Sequence, residues 1–118
     1  CCTILQPIQP LPLGSFGVAA AHIDFQGTQA VSIMATLMNP SLSQGFDTWI
    51  GELAIPNVGT FAEPLYPTPE QPSTWSVTIS LPTAAFLTPD TIISIRPMLR
   101  ATGETGPIIL QGSFTGCR

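Results

Sequence analysis

Charge is what this chain has least of. It holds no lysine, its cations are Arg96, Arg100 and Arg118, and with seven carboxylates only 8% of its 118 residues are charged, for a net charge of −4. An average soluble domain carries about a quarter. Three arginines supply no basic stripe that could neutralise phosphates, which excludes nucleic acid as a partner, and the same shortage excludes docking on an anionic lipid surface. Long apolar runs are missing too: Pro, Ser, Thr or Gly interrupts each one well short of the ~18 residues a bilayer-crossing helix needs, so no membrane span is expected. Histidine occurs once, as His22, and there is no C-x-x-C, so the chain cannot close a zinc site by itself and no metal is assigned. The carboxylates Asp24, Asp47, Glu52, Glu63, Glu70, Asp90 and Glu104 are scattered without calcium-loop or acid/base spacing. There is no phosphate-cradling glycine loop and no nucleophile elbow. His22 and Asp24, two apart in an expected strand, read as a surface histidine near a carboxylate. No catalytic residue and no cofactor is assigned, and the chain is read as a non-enzyme.

What is present argues for a folded, single-core domain. Apolar residues make up 44% of the chain, which is too many for a solvated coil despite 13 prolines and 10 glycines. With so little charge, either uncharged polar residues cover the surface or neighbouring molecules do, and the second is preferred.

The three cysteines sit at the extremes, Cys1 and Cys2 together and Cys117 near the other end. Terminal cysteines hold loose ends down or reach another chain, which points to an oxidising, extracellular setting. An odd number cannot all pair within one chain. Intermolecular linkage, one internal bridge from Cys1 or Cys2 to Cys117, and reduced thiols all remain open. The chain starts at Cys1 rather than Met, as a form lacking upstream residues would, and a removed secretion signal fits.

Residues 1–16 form an expected N-terminal arm. Pro7, Pro10 and Pro12 fix φ and remove donors, so the segment is extended rather than helical or a central strand. Its Ile4, Leu5, Ile8, Leu11 and Leu13 are too apolar for a free linker and are expected to lie in a groove of this domain or a neighbour. From residue 17 to 118 the pattern is period two, the signature of half-buried strands. Expected strands cover 18–25 (Ala19, Ala21, Ile23 and Phe25 inward), 29–38 (Val31, Ile33, Ala35 and Leu37 inward, Met34 and Met38 outward), 46–55 (apolar on both faces, and so read as covered on both sides), 74–81 (Trp75, Val77, Ile79 and Leu81 inward), 91–99 (Ile93, Ile95 and Leu99 inward) and 107–115 (Ile108, Leu110 and Phe114 inward). Pro97 is expected to force an edge position or a bulge in its strand. The segments between, at 39–45, 55–59, 63–73, 82–90 and 101–107, are rich in turn residues. Residues 82–87 fit one helical turn opened by Pro82. The fold class is all-β, a single β-sandwich or jelly roll with an extended Pro-rich arm.

Two aromatics are candidate ligand contacts, Trp49 and Tyr66, since aromatic faces stack on sugar rings. The triplet Asn39-Pro40-Ser41 is excluded as a glycan acceptor by its proline.

The N-terminal Cys1-Cys2 pair, the apolar arm, the all-β body and the lone Cys117 together resemble subunits of bacterial endospore appendages. The resemblance implies a jelly-roll subunit that stacks by strand augmentation and is locked by intersubunit disulfides through Cys1, Cys2 and Cys117. The expected function is thus a structural subunit of an extracellular filament or surface assembly, on a cell or spore surface, with copies of itself as partners. The alternative is a secreted β-sandwich module that binds carbohydrate or protein.

Overall fold

The computed structural model describes residues 2–8, 16–23, 27–37, 45–82 and 87–115. Within them the chain is all-β, with nine strands and no helix: β1 (Cys2–Pro7), β2 (Phe16–Ile23), β3 (Gln29–Thr36), β4 (Thr48–Ile55), β5 (Gly59–Pro64), β6 (Tyr66–Thr68), β7 (Gln71–Ser80), β8 (Ile92–Met98) and β9 (Leu110–Ser113). Every pairing is antiparallel, in the order β5-β4-β8-β9-β1-β2-β3-β7-β6.

This continuous ribbon folds over into a nearly closed, barrel-like sandwich. The first sheet is β1-β2-β3-β7-β6 and the second is β5-β4-β8-β9-β1, so β1 belongs to both. Its Cys2–Leu5 half pairs with β2, while Gln6 and Pro7 pair with Gln111 and Leu110 of β9. A strand that changes sheets makes a corner of the sandwich. At the far end the chain itself turns the other corner. It leaves β5 at Pro64 and enters β6 at Tyr66, while the intervening Leu65 is fully buried and donates its N–H to the Trp49 carbonyl at 2.8 Å.

The period-two positions bury as their pattern dictates. Val31, Ile33 and Ala35 of β3 and Trp75 and Ile79 of β7 meet Trp49, Leu53 and Ile55 of β4 and Ile93 and Ile95 of β8 in one core, which Leu37, Leu81, Leu110 and Phe114 close. Gly51 lets the two layers approach, since a Cβ there would lie 3.0 Å from Ile33 Cδ1 and 3.1 Å from Leu65 Cδ1. The β4–β5 turn is the one the sequence leads one to expect at 55–59. Val58 N–H donates to the Ile55 carbonyl at 3.1 Å, Pro56 takes the second position and Asn57 the third with φ of 64°, the signature of a type II turn.

Several expectations need correction. Cys2–Pro7 are extended, as the prolines require, but they form an interior strand of the ribbon rather than an arm apart from it. Pro7 is tolerated because it is the last residue of β1. Residues 9–15 of the arm, including Leu11 and Leu13, lie outside the described residues. Pro97 sits in β8, which is flanked by β4 and β9, and its register with β4 runs unbroken. The carbonyls of Ile95 and Pro97 accept from Ile109 and Gly106, so the Pro97 nitrogen points to the same side, where β9 has already ended and no ladder donor is required. Ile23, expected inward, is exposed at the end of β2, where it pairs only with Gln29. Leu99 is half-buried, and Pro97 takes the inward place next along β8; likewise Ile109 rather than Ile108 is buried ahead of β9, and β4 is covered on one face only, with Ala54 exposed on the other. Strand β6 falls within the expected turn segment 63–73 and β5 spans residues 59–64, between and overlapping the segments 55–59 and 63–73, because short end strands carrying Pro64 and Pro67 show no alternation to read. Residues 83–86, and with them the helical turn, lie outside the described residues, as do Phe25 and Met38.

Candidate functional site

The two sheets differ sharply in charge. The five strands of the first sheet contain no Asp, Glu, Lys or Arg at all. The second sheet carries Glu52, Glu63 and Arg96, and Arg96 Nε meets Glu52 Oε1 at 2.6 Å on its outer side.

On the outer face of the first sheet, register aligns one residue from each strand. Ile4 lies opposite Val18, Val18 opposite Met34, Met34 opposite Ser76, and Ser76 opposite Tyr66. Cross-strand partners share a face, so this is one continuous row over five strands. Phe16, two residues from Val18, widens it. The apolar members are well exposed: Ile4 60%, Phe16 57%, Val18 42%, Met34 54% and Tyr66 55%. Hydroxyls fill the flank. His22 Nε2 lies 2.9 Å from Ser32 Oγ, which lies 2.9 Å from Thr78 Oγ1, a hydrogen-bonded line across β2, β3 and β7. The strands of this face carry no Asp, Glu, Lys or Arg, and its outward side chains are apolar or hydroxyl-bearing, with His22 near the end of β2.

Such a surface offers a partner area and shape rather than ions. Scattered exposed apolar side chains are ordinary; here Ile4, Phe16, Val18 and Met34 lie on three adjoining strands, with Tyr66 beyond Ser76, which makes this face the candidate site. The His22–Ser32 contact has the partners of an activated nucleophile, yet it lies open on the sheet, and its second link runs to a threonine hydroxyl. Its evident role is to tie three strands together.

The residues expected to matter are placed as follows. Trp49 is fully buried in the core, so it cannot stack on an external ligand, which corrects its candidacy as a contact. Tyr66 is exposed as expected, although on strand β6 rather than in a loop. Leu5 is likewise enclosed in this domain's own core and is not available to a neighbour, whereas Ile4 and Ile8 are exposed. Cys2 is exposed at the start of β1, on the same outer face as Ile4. Cys1 and Cys117 lie outside the described residues. Among the described residues there is no disulfide, no cluster of His, Cys, Asp and Glu that could hold a metal, and no helix long and apolar enough to cross a membrane.

The period-two pattern of 29–38 already turns Met34 outward. The alignment of Ile4, Val18 and Tyr66 with it was not foreseen. One signal was there to be read: charged residues are absent from every segment that builds the first sheet.

By fold and surface the chain is an antiparallel, barrel-like β-sandwich with one uncharged face. Over residues 1–118 it matches the family model described as SPbeta prophage-derived uncharacterized protein YoqH, and it belongs to that family. Neither the curated proteins nor the solved structures hold a match to it.

Proposed function

We propose that this protein is a structural subunit that assembles with copies of itself into an extracellular filament or surface layer. The observation that carries the reading is the outer face of the first sheet, uncharged over five strands and crossed by the exposed row Ile4, Val18, Met34 and Tyr66. A monomer in water gains nothing from such a face, whereas a packed assembly buries it and has no need of the missing surface charge. Disulfides through Cys1, Cys2 and Cys117 would then lock the contacts covalently, and the exposure of Cys2 on this side of the molecule is in keeping with that. The test is light scattering on native protein, together with gels run with and without reductant after thiol blocking. Large species, with ladders collapsing to 12.5 kDa on reduction, are expected. A protein that stays monomeric at high concentration in both states overturns the proposal.

A second reading, a secreted carbohydrate-binding module, is favoured by one observation: Tyr66 presents its ring at the sheet edge beside a field of hydroxyls. Glycan-array binding that Tyr66→Ala abolishes, by a monomeric protein, would establish it instead.

A further inference from the structure

We infer that the first contact in assembly is an isologous dimer in which two copies pack the outer faces of their first sheets against each other, with a two-fold axis passing close to Met34. The inference rests on the self-assembly reading and specifies its geometry.

Charge selects the occupant. The described carboxylates Asp47, Glu52, Glu63, Glu70, Asp90 and Glu104 all lie off this face, in the second sheet or in turns. A partner offering charge here would bury it unpaired, which is costly. A second copy offers the same uncharged strands and directs its described carboxylates away from the contact. Apolar and hydroxyl groups then meet their like, with no ion to desolvate.

Size fits a weak dimer. Counting four residues of β1, eight each of β2 and β3, ten of β7 and three of β6, at about 3.3 Å per residue and about 4.8 Å between strands, the projected face is roughly 500 Å² per copy, or ~1,000 Å² in all, at the threshold for a biological interface and in the class of transient ones. Aligned packing of two sheets face to face is the same arrangement that builds a sandwich interior.

Position fixes the centre. β3 is the middle strand of the five, and Met34 is the middle residue of the row that runs from Ile4 to Tyr66. In an isologous contact the two-fold lies in the plane of the interface. Whether that axis runs along β3 or along the row, Met34 meets Met34 of the other copy, whereas Ile4 meets either Tyr66 or itself. Methionine suits such a position because its flexible thioether adapts to its own image.

The experiment compares wild type, Met34→Glu and Ala54→Glu, the last placing the same charge at an exposed position on the second sheet, by light scattering coupled to gel filtration. Circular dichroism and thermal melting confirm folding. Since Met34 is exposed, Met34→Glu is expected to melt like wild type yet raise the dimer dissociation constant about 100-fold or more, because two carboxylates are forced together at the centre. Ala54→Glu is expected to dimerise as wild type does. In a background carrying Cys1→Ser, Cys2→Ser and Cys117→Ser, Met34→Cys is expected to form a disulfide dimer on mild oxidation. If Met34→Glu assembles as well as wild type, the face is wrong while self-assembly stands. If Met34→Glu dissociates but Met34→Cys does not cross-link, the face stands and the two-fold geometry is overturned. A monomeric wild type overturns both this inference and the reading beneath it.

Discussion

Replacing Gly112 by Ala tests the corner at which β1 crosses from one sheet to the other. β1 follows β2 as far as Leu5 and joins β9 from Gln6, so its backbone passes directly over Gly112. A Cβ on Gly112 would lie 2.9 Å from the Ile4 carbonyl oxygen and 2.9 Å from Leu5 Cδ2. Ordinary carbon contacts begin near 3.5 Å, so β1 must retreat by about half an ångström or more. The Leu5 side chain has little room to yield, because a second glycine, Gly17, already approaches it: a Cβ there would be 3.2 Å from Leu5 Cδ1. Overpacking of this kind costs about 1–3 kcal/mol. The smaller conformational freedom of the unfolded alanine chain returns about 0.4–1 kcal/mol. Because the contact is with backbone, which cannot swing aside as a side chain can, the upper end of the overpacking range applies, and a net loss of about 2 kcal/mol is expected, which for a domain of this length lowers Tm by roughly 6–12 °C. Thermal melting followed by far-UV circular dichroism measures it. Gly103→Ala is the control: with φ of 77° and open space around it, it costs only the ~1 kcal/mol of a left-handed alanine. A Gly112→Ala melt within about 2 °C of wild type, or one milder than Gly103→Ala, would refute the crossing geometry.

The opposite corner depends on Leu65. Because it is fully buried where β5 becomes β6, Leu65→Ala is expected to cost about 3 kcal/mol in urea unfolding, clearly more than the same change at half-buried Leu99. The Arg96–Glu52 pair is about a quarter exposed, so Arg96→Ala is expected to shift stability by less than about 1 kcal/mol. A larger loss in the same assay would mean that the arginine stem, rather than its charge, holds the second sheet.

Much of the fold was legible in the chain, and for a local reason. Alternation along 29–38 and 74–81 displays a buried and a wet face directly, and the described residues bury as read, Val77 only in part. Trp49 shows where such reading stops. An aromatic on the inner face of a strand looks the same in sequence as one presented at a surface, and only the approach of the other layer encloses it. Pro97 is a second case. The rule that proline avoids interior strands concerns a missing donor, and whether that donor is required depends on how far β9 extends, which is set by residues more than ten positions away. The candidate face was half legible: the absence of charge from the first sheet's segments is plain in the letters, but the row is not.

By itself, then, the sequence determined that the chain is all-β, poor in charge, and built on one core, because side-chain period, composition and turn chemistry act within a few residues. The tertiary structure alone decided that β1 serves both sheets and that Ile4, Val18, Met34 and Tyr66 fall into line. Register between strands is set by interstrand hydrogen bonds and by which faces bury against each other, and a shift of one residue would have turned any of these side chains to the opposite side.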